Sequence, residues 1–254
     1  MRSPRTVAAI VGGALGLAVI VAFVLVLFAP NSPLTAPTAA PDPDEPTWAP
    51  PASEPVRSAD ASAGIQTWVD ADWAEQTAAA TGIPVRALVA YAGAAMFKAE
   101  QLPECRISWS TLAGVGLIES DHGRHGGSSL DAGGTATPPI FGIALDGGNT
   151  AEITDTDDGA IDGDTDFDRA VGPMQLIPQT WRNWHVDAGA DGIEDPQNID
   201  DAALAAANYL CRSSTAMDTE EGWRAAISAY NSSDTYLSNV AAAAVAYTAA
   251  AARP

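Results

Sequence analysis

The sequence predicts a mostly α-helical domain held outside a membrane, with one long glycine- and aspartate-rich insertion between its helices, preceded by a single transmembrane helix and a disordered linker. Three observations predict it: an uncharged apolar run near the N-terminus, a Pro/Ala-rich acidic stretch after it, and helical spacing of apolar residues beyond, broken only between residues 126 and 170.

Residues 7 to 29 carry no charged or strongly polar side chain. At 1.5 Å per residue they span roughly 34 Å, enough for a hydrocarbon core of about 30 Å. Arg2 and Arg5 stand just before the run, so that end stays in the cytoplasm and the rest of the chain is exported. Residues 1 to 29 are therefore expected to form a short tail and an uncleaved signal anchor. The alternative is a cleavable signal peptide, but the run is longer than a typical apolar signal core and the Ala-rich sites after it are crowded by proline. Residues 30 to 62 hold too few aliphatic side chains to fold and are expected to be a linker, reaching roughly 90 Å if extended at about 3.1 Å per residue. Residues 63 to 254 remain for one domain.

The chain has 12 Lys and Arg against 32 Asp and Glu, a formal charge of -20, and no basic cluster that could neutralise a phosphate backbone, so nucleic acid is excluded as a partner. Its two cysteines, Cys105 and Cys211, would be exported into an oxidising compartment, where a disulfide is expected; two buried free thiols are the alternative. Closing a loop of about 100 residues could stabilise the fold by up to roughly 4.7 kcal/mol in the chain-entropy model.

Ile65, Trp68, Val69 and Trp73 suggest an amphipathic entry helix, and Pro84 a helix start followed by a stripe of Leu88, Ala92, Ala95 and Met96. Ser108 or Ser110 can cap a helix that runs through Leu112, Val115 and Ile118 and ends at the turn Asp121-His-Gly-Arg124. Residues 126 to 170 form a long excursion with at most a short hairpin around Ile140 to Leu145. Helices are expected again over Pro178 to Trp184, Asp200 to Arg212, Thr219 to Ala229 and Asp234 to Ala252.

Glu119 closes the helix that begins at Ser108. Desolvation against Leu117 and Ile118, and the negative end of its own helix, would both raise its pKa. A carboxyl so tuned suits a general acid, which glycosidic cleavage needs at the leaving oxygen; an ordinary solvated helix-end glutamate is the alternative. Gly172-Pro173-Met174-Gln175 offers a turn without bulk and an amide side chain, and Ala229-Tyr230-Asn231 ends another helix with a hydroxyl and an amide. Each is also compatible with plain turn and cap chemistry.

Together, and in this order on a helical chain, Glu119-Ser120, Gly172 to Gln175 and Ala229 to Asn231 resemble the lytic murein transglycosylases of lysozyme-like fold. The similarity is to the membrane-bound transglycosylase B type in its actinobacterial form, carried by Ile107 to Gly114, Asp168 to Gln175 and Asp195 to Ala202, and it spans about residues 82 to 240. The resemblance implies a lysozyme-like domain with Glu119 as catalytic acid/base, and with Ser120, Met174, Gln175, Tyr230 and Asn231 lining the sugar groove. It also implies cleavage between N-acetylmuramic acid and N-acetylglucosamine in the peptidoglycan strand, without water, leaving a 1,6-anhydromuramoyl end. The expected location is then the cell membrane, single-pass, with the catalytic domain outside it; protein partners are not specified.

Asp168 is a possible second carboxylate that could activate water and make the enzyme a hydrolytic muramidase. A non-catalytic peptidoglycan-binding module is the remaining alternative. No cofactor or metal is expected, except that Asp187 and Asp191 with Gly192 resemble the start of a calcium loop; Gly189 and Asn198 replace two of its ligands, and a plain Asp-Gly turn is the alternative. His122 and His125 flank a glycine turn rather than sharing a helical face, which is not a zinc arrangement.

Overall fold

The computed structural model describes residues 48–49, 51–148 and 150–252. The expected membrane anchor at 7 to 29 and the first part of the expected linker lie outside the described residues. Among the described residues no single helix is long and apolar enough to cross a membrane.

The described chain is mostly helical: α1 (Ala71–Thr81), α2 (Val85–Gln101), α3 (Trp109–Ser120), α4 (Pro178–Trp184), α5 (Ile199–Ser213), α6 (Glu220–Tyr230) and α7 (Asp234–Ala251). Between α3 and α4 lie four short strands, β1 (Ser129–Leu130), β2 (Ala136–Thr137), β3 (Phe141–Ala144) and β4 (Arg169–Val171).

Helix α3 is the axis of the domain. Its residues from Trp109 to Gly116 are all buried, as expected of a helix apolar on every side. It packs chiefly on α7 and α2. Two glycines permit this closeness: a Cβ on Gly114 would lie 2.9 Å from the Val240 carbonyl oxygen, and one on Gly116 would lie 2.0 Å from the Tyr91 hydroxyl. The Ser108 hydroxyl caps the helix by accepting from the Thr111 amide at 3.2 Å. Alanine-rich α5 is buried along most of its length between α2 and α6. The Cys105–Cys211 disulfide, with Cα atoms 5.4 Å apart, joins its last turn to the segment that leads into α3.

The entry region differs from the expected single helix. Ile65–Trp68 forms a 3-10 turn, and the chain then extends through Val69 to Asp70, whose carboxylate caps the separate helix α1 by accepting from the Trp73 amide at 2.9 Å. Gly82, at φ +75°, ends α1, Pro84 precedes α2, and the two axes diverge by 116°.

The excursion also differs from the expected local hairpin around Ile140 to Leu145. β3 pairs with β4, placing Phe141 opposite Val171 and Ala144 opposite Arg169, so the partner strand comes from the far end of the insertion. β1 and β2 make a separate small hairpin. Between β3 and β4, Asp155, Asp162 and Asp164 accept hydrogen bonds from main-chain amides of their own loop, which satisfies the backbone there without regular structure.

The stretch expected to be linker is described from Trp48 onward with Pro50 excepted, and this part lies against the helices. Ala49 is buried, Arg57 bridges to Val69, and the Ser53 carbonyl accepts from the Trp109 indole at 3.1 Å. Arg57 stacks on Trp68 at 4.3 Å and pairs with Glu100 at 2.7 Å. A stretch poor in aliphatic residues is thus held by hydrogen bonds to its main chain, one ion pair and one cation–aromatic contact.

Candidate active site

Glu119 ends α3 where three successive residues, Asp121, His122 and Gly123, take left-handed backbone conformations at φ 52°, 58° and 83°. That turn stops the helix. Glu119 is half-buried, and its Oε1 accepts a hydrogen bond from the Tyr236 hydroxyl at 2.6 Å. Burial pushes its pKa up to about 8, and the Tyr236 bond offsets only part of this because a donated hydrogen bond favours the carboxylate. No second carboxylate contributes to the shift. The group is therefore protonated at neutral pH yet can still reach solvent, the two properties a general acid needs.

The sequence motifs converge here through hydroxyl groups. Ser120, the residue after the acid, donates to the Pro173 carbonyl at 2.6 Å and accepts from the Gly123 amide at 2.8 Å. The Tyr230 hydroxyl, at the end of α6, donates to the Met174 carbonyl at 2.6 Å. Two buried hydroxyls on different helices thus clamp consecutive carbonyls of the 172–175 turn. Gly172 is required at that turn: its φ is +73°, and a Cβ would sit 1.7 Å from the Pro196 carbonyl oxygen. Gln175 closes the turn with its own amide on the Gly172 carbonyl at 2.9 Å and packs against Gly142 of β3, so the first strand of the β3–β4 pair lies against this turn.

The expected site residues therefore differ in what they offer. Glu119 and Gln175 keep exposed surface. Met174 is fully buried and offers only its main chain, and Ser120, Tyr230 and Asn231 are buried and hold neighbouring elements. Asn231 accepts from the Ser233 amide at 3.0 Å, and Ser233 in turn caps α7, so the elbow between α6 and α7 is fixed. This elbow stacks Tyr230 on Tyr236 with ring centres 6.5 Å apart and planes 7° from parallel. Tyr236 is the residue the sequence reading missed; its only signal was a second tyrosine six positions after the first.

Behind the acid, His122 is buried between Tyr91, 3.2 Å from Nδ1, and Tyr247, 2.9 Å from Nε2. Burial pushes its pKa down to about 4, so it is neutral and both ring nitrogens are engaged. Arg124 pairs with Asp121 at 2.6 Å.

Asp168 is fully buried in the excursion, and both its oxygens accept from Thr156, at 2.9 Å from the amide and at 2.9 and 3.2 Å from the hydroxyl. Asp155, Asp157 and Asp168 bring carboxylate oxygens within 4.8 Å of one another and are the group among the described residues that could hold a metal ion. In the loop expected to resemble a calcium site, Asp187 accepts from the Asp191 and Gly192 amides at 3.1 and 2.9 Å. Asp201 organises the same loop from α5, accepting from Ala188, Gly189 and Asp195.

The mostly helical architecture, with a half-buried, proton-holding glutamate one residue before the serine that clamps the glycine turn, fits a lysozyme-like domain. The comparisons agree at that level. The family described as Transglycosylase SLT domain matches residues 155–252, less than half of the chain, and this supports a transglycosylase of the lysozyme-like superfamily acting on peptidoglycan. No curated protein and no solved structure matches. The matched segment contains the 172–175 turn and the two tyrosines but not Glu119, whose assignment rests on geometry.

Proposed function

We propose that this chain is a peptidoglycan lytic transglycosylase in which Glu119 is the sole acid/base, cutting between N-acetylmuramic acid and N-acetylglucosamine and leaving a 1,6-anhydromuramoyl end. The carrying observation is that Glu119 is raised to a proton-holding state by burial, with a tyrosine hydroxyl at 2.6 Å and no carboxylate contributing to its shift. One carboxyl can serve both halves of such a reaction. It first donates its proton to the leaving glycosidic oxygen. As carboxylate, steadied by Tyr236, it then takes the proton of the muramoyl 6-hydroxyl as that oxygen closes on the anomeric carbon. A hydrolase would instead use a second carboxylate to direct water, and the candidate for it, Asp168, is buried and occupied by Thr156.

The role that fits this reading is remodelling of the cell wall from the outer face of the cell membrane, with residues 7 to 29 as anchor. Such a tether suits a chain whose formal charge of -20 would be repelled by anionic wall polymers. The test is digestion of purified sacculi by wild type and Glu119→Gln. The variant is expected to lose two to four orders of magnitude, about the range of general acid/base work, while still binding glycan. Full activity of the variant would remove Glu119 from the chemistry.

A further inference from the structure

At the C-terminal ends of α2, α4 and α5 lies a cavity of about 420 Å³ lined by Lys98, Gln101, Leu102, Trp184, Asn208, Cys211, Arg212 and Thr215. Its lining has two cations and no acid, in a chain of net charge -20. Lys98 exposes only 5% of its surface, yet no carboxylate lies within ion-pair distance of it among the described residues. Its Nζ donates to the side-chain oxygens of Gln101 at 2.6 Å and Asn208 at 3.1 Å, which uses two of its three hydrogens. Because both amides accept through oxygen, their NH₂ ends remain as donors. Arg212 is exposed and adds a planar, donor-only fork.

Helix C-termini favour cations and account for part of this placement. They do not account for the bonds, since Lys98 binds side-chain amides while the Lys98, Trp181 and Leu210 carbonyls are capped by main-chain amides of Leu102, His185 and Ser214. The Glu104 carboxylate acts on Lys98 electrostatically but makes no ion pair with it, and a buried ammonium whose hydrogen bonds go only to neutral oxygens is costly unless an anion completes it. Trp184 and Leu102 give the cavity an apolar wall.

We propose that this cavity binds the free carboxylate end of a peptidoglycan stem peptide, with Lys98 and Arg212 on the carboxylate and Trp184 and Leu102 against its small side chains. This rests on the peptidoglycan reading above and names a second contact for the same substrate. A row of rings leads from the cavity to the acid: Trp184 to Tyr209 at 6.5 Å, Tyr209 to Tyr230 at 5.7 Å, and Tyr230 stacked on Tyr236, which holds Glu119. A peptide of four or five residues, at roughly 3.3 Å each when extended, covers a comparable span.

The test is titration calorimetry on the full-length protein in detergent, with acetyl-D-Ala-D-Ala as probe. The peptide is expected to bind, its C-terminal amide at least tenfold more weakly, and both Arg212→Gln and Lys98→Met are expected to weaken the free acid at least tenfold. Arg212 is exposed, so its variant reports even if Lys98→Met fails to fold. Glu119→Gln should bind the peptide as wild type does, which separates this test from the catalytic one: peptide binding without glycan cleavage would fail the enzyme reading alone. Equal binding of acid and amide, no binding at millimolar peptide, or displacement by inorganic phosphate in preference to the peptide would overturn the proposal.

Discussion

Replacing Glu119 by Gln should make the fold more stable at alkaline pH, whatever it does to activity. The carboxyl is raised on folding from 4.5 to about 8, so the folded state holds this proton more tightly than the unfolded one. The contribution is fully present below pH 4.5, declines as pH rises between the two values, and is gone above about 8. At 1.36 kcal/mol per pH unit the full interval corresponds to roughly 5 kcal/mol, and the partial exposure of the side chain reduces the expectation to about 2 to 4 kcal/mol. Gln keeps the shape and can still accept from Tyr236 but does not titrate. Urea unfolding of both proteins from about pH 4 to about pH 9 should give a difference that grows through neutral pH in favour of the variant and then levels off. Titration of the other acids is common to both proteins and cancels. A difference that does not vary with pH would refute the claim that burial holds the proton on Glu119.

Three further outcomes follow from the same geometry. Tyr236→Phe removes the one hydrogen bond that lowers the Glu119 pKa, so the alkaline limb of kcat/KM, expected near pH 8 in the wild type, should move to higher pH; an unmoved limb would mean the bond does not act on the acid. Gly172→Ala puts a Cβ against the Pro196 carbonyl at a left-handed position and should cost at least about 2 to 3 kcal/mol in urea melts with loss of activity, whereas wild-type stability would contradict the turn geometry. Cys105→Ser opens a bridge between residues 106 apart in sequence and should destabilise by about 2 to 5 kcal/mol; two reactive thiols in denatured, unreduced wild type would show that the bridge does not form.

Much of the helical architecture was legible because its signals are local. Ser108, the apolar run after it and the turn from Asp121 define α3 without tertiary information, and Pro178 and the acids after Asn198 do the same for α4 and α5. The entry region was misread because Trp68 and Trp73 share an apolar character but not a helix, and Asp70 between them is a cap. The pairing of β3 with β4 joins residues separated by the whole acidic loop, which no local periodicity encodes. In the site, Glu119 and the 172–175 turn stood out as motifs, but the motif residues Ser120 and Tyr230 proved to hold the turn by its carbonyls rather than to present themselves. Tyr236 reaches the acid because the α6–α7 elbow stacks it on Tyr230, a consequence of packing that the spacing of two tyrosines does not by itself disclose.

The most direct test of the proposed chemistry is mass spectrometry of the fragments released from purified sacculi by the wild-type protein. If Glu119 works alone and the substrate supplies its own nucleophile, the muramoyl ends are 1,6-anhydro, each one water lighter than a hydrolysis product. Reducing muramoyl ends would show that water is the nucleophile and would replace the transglycosylase with a muramidase.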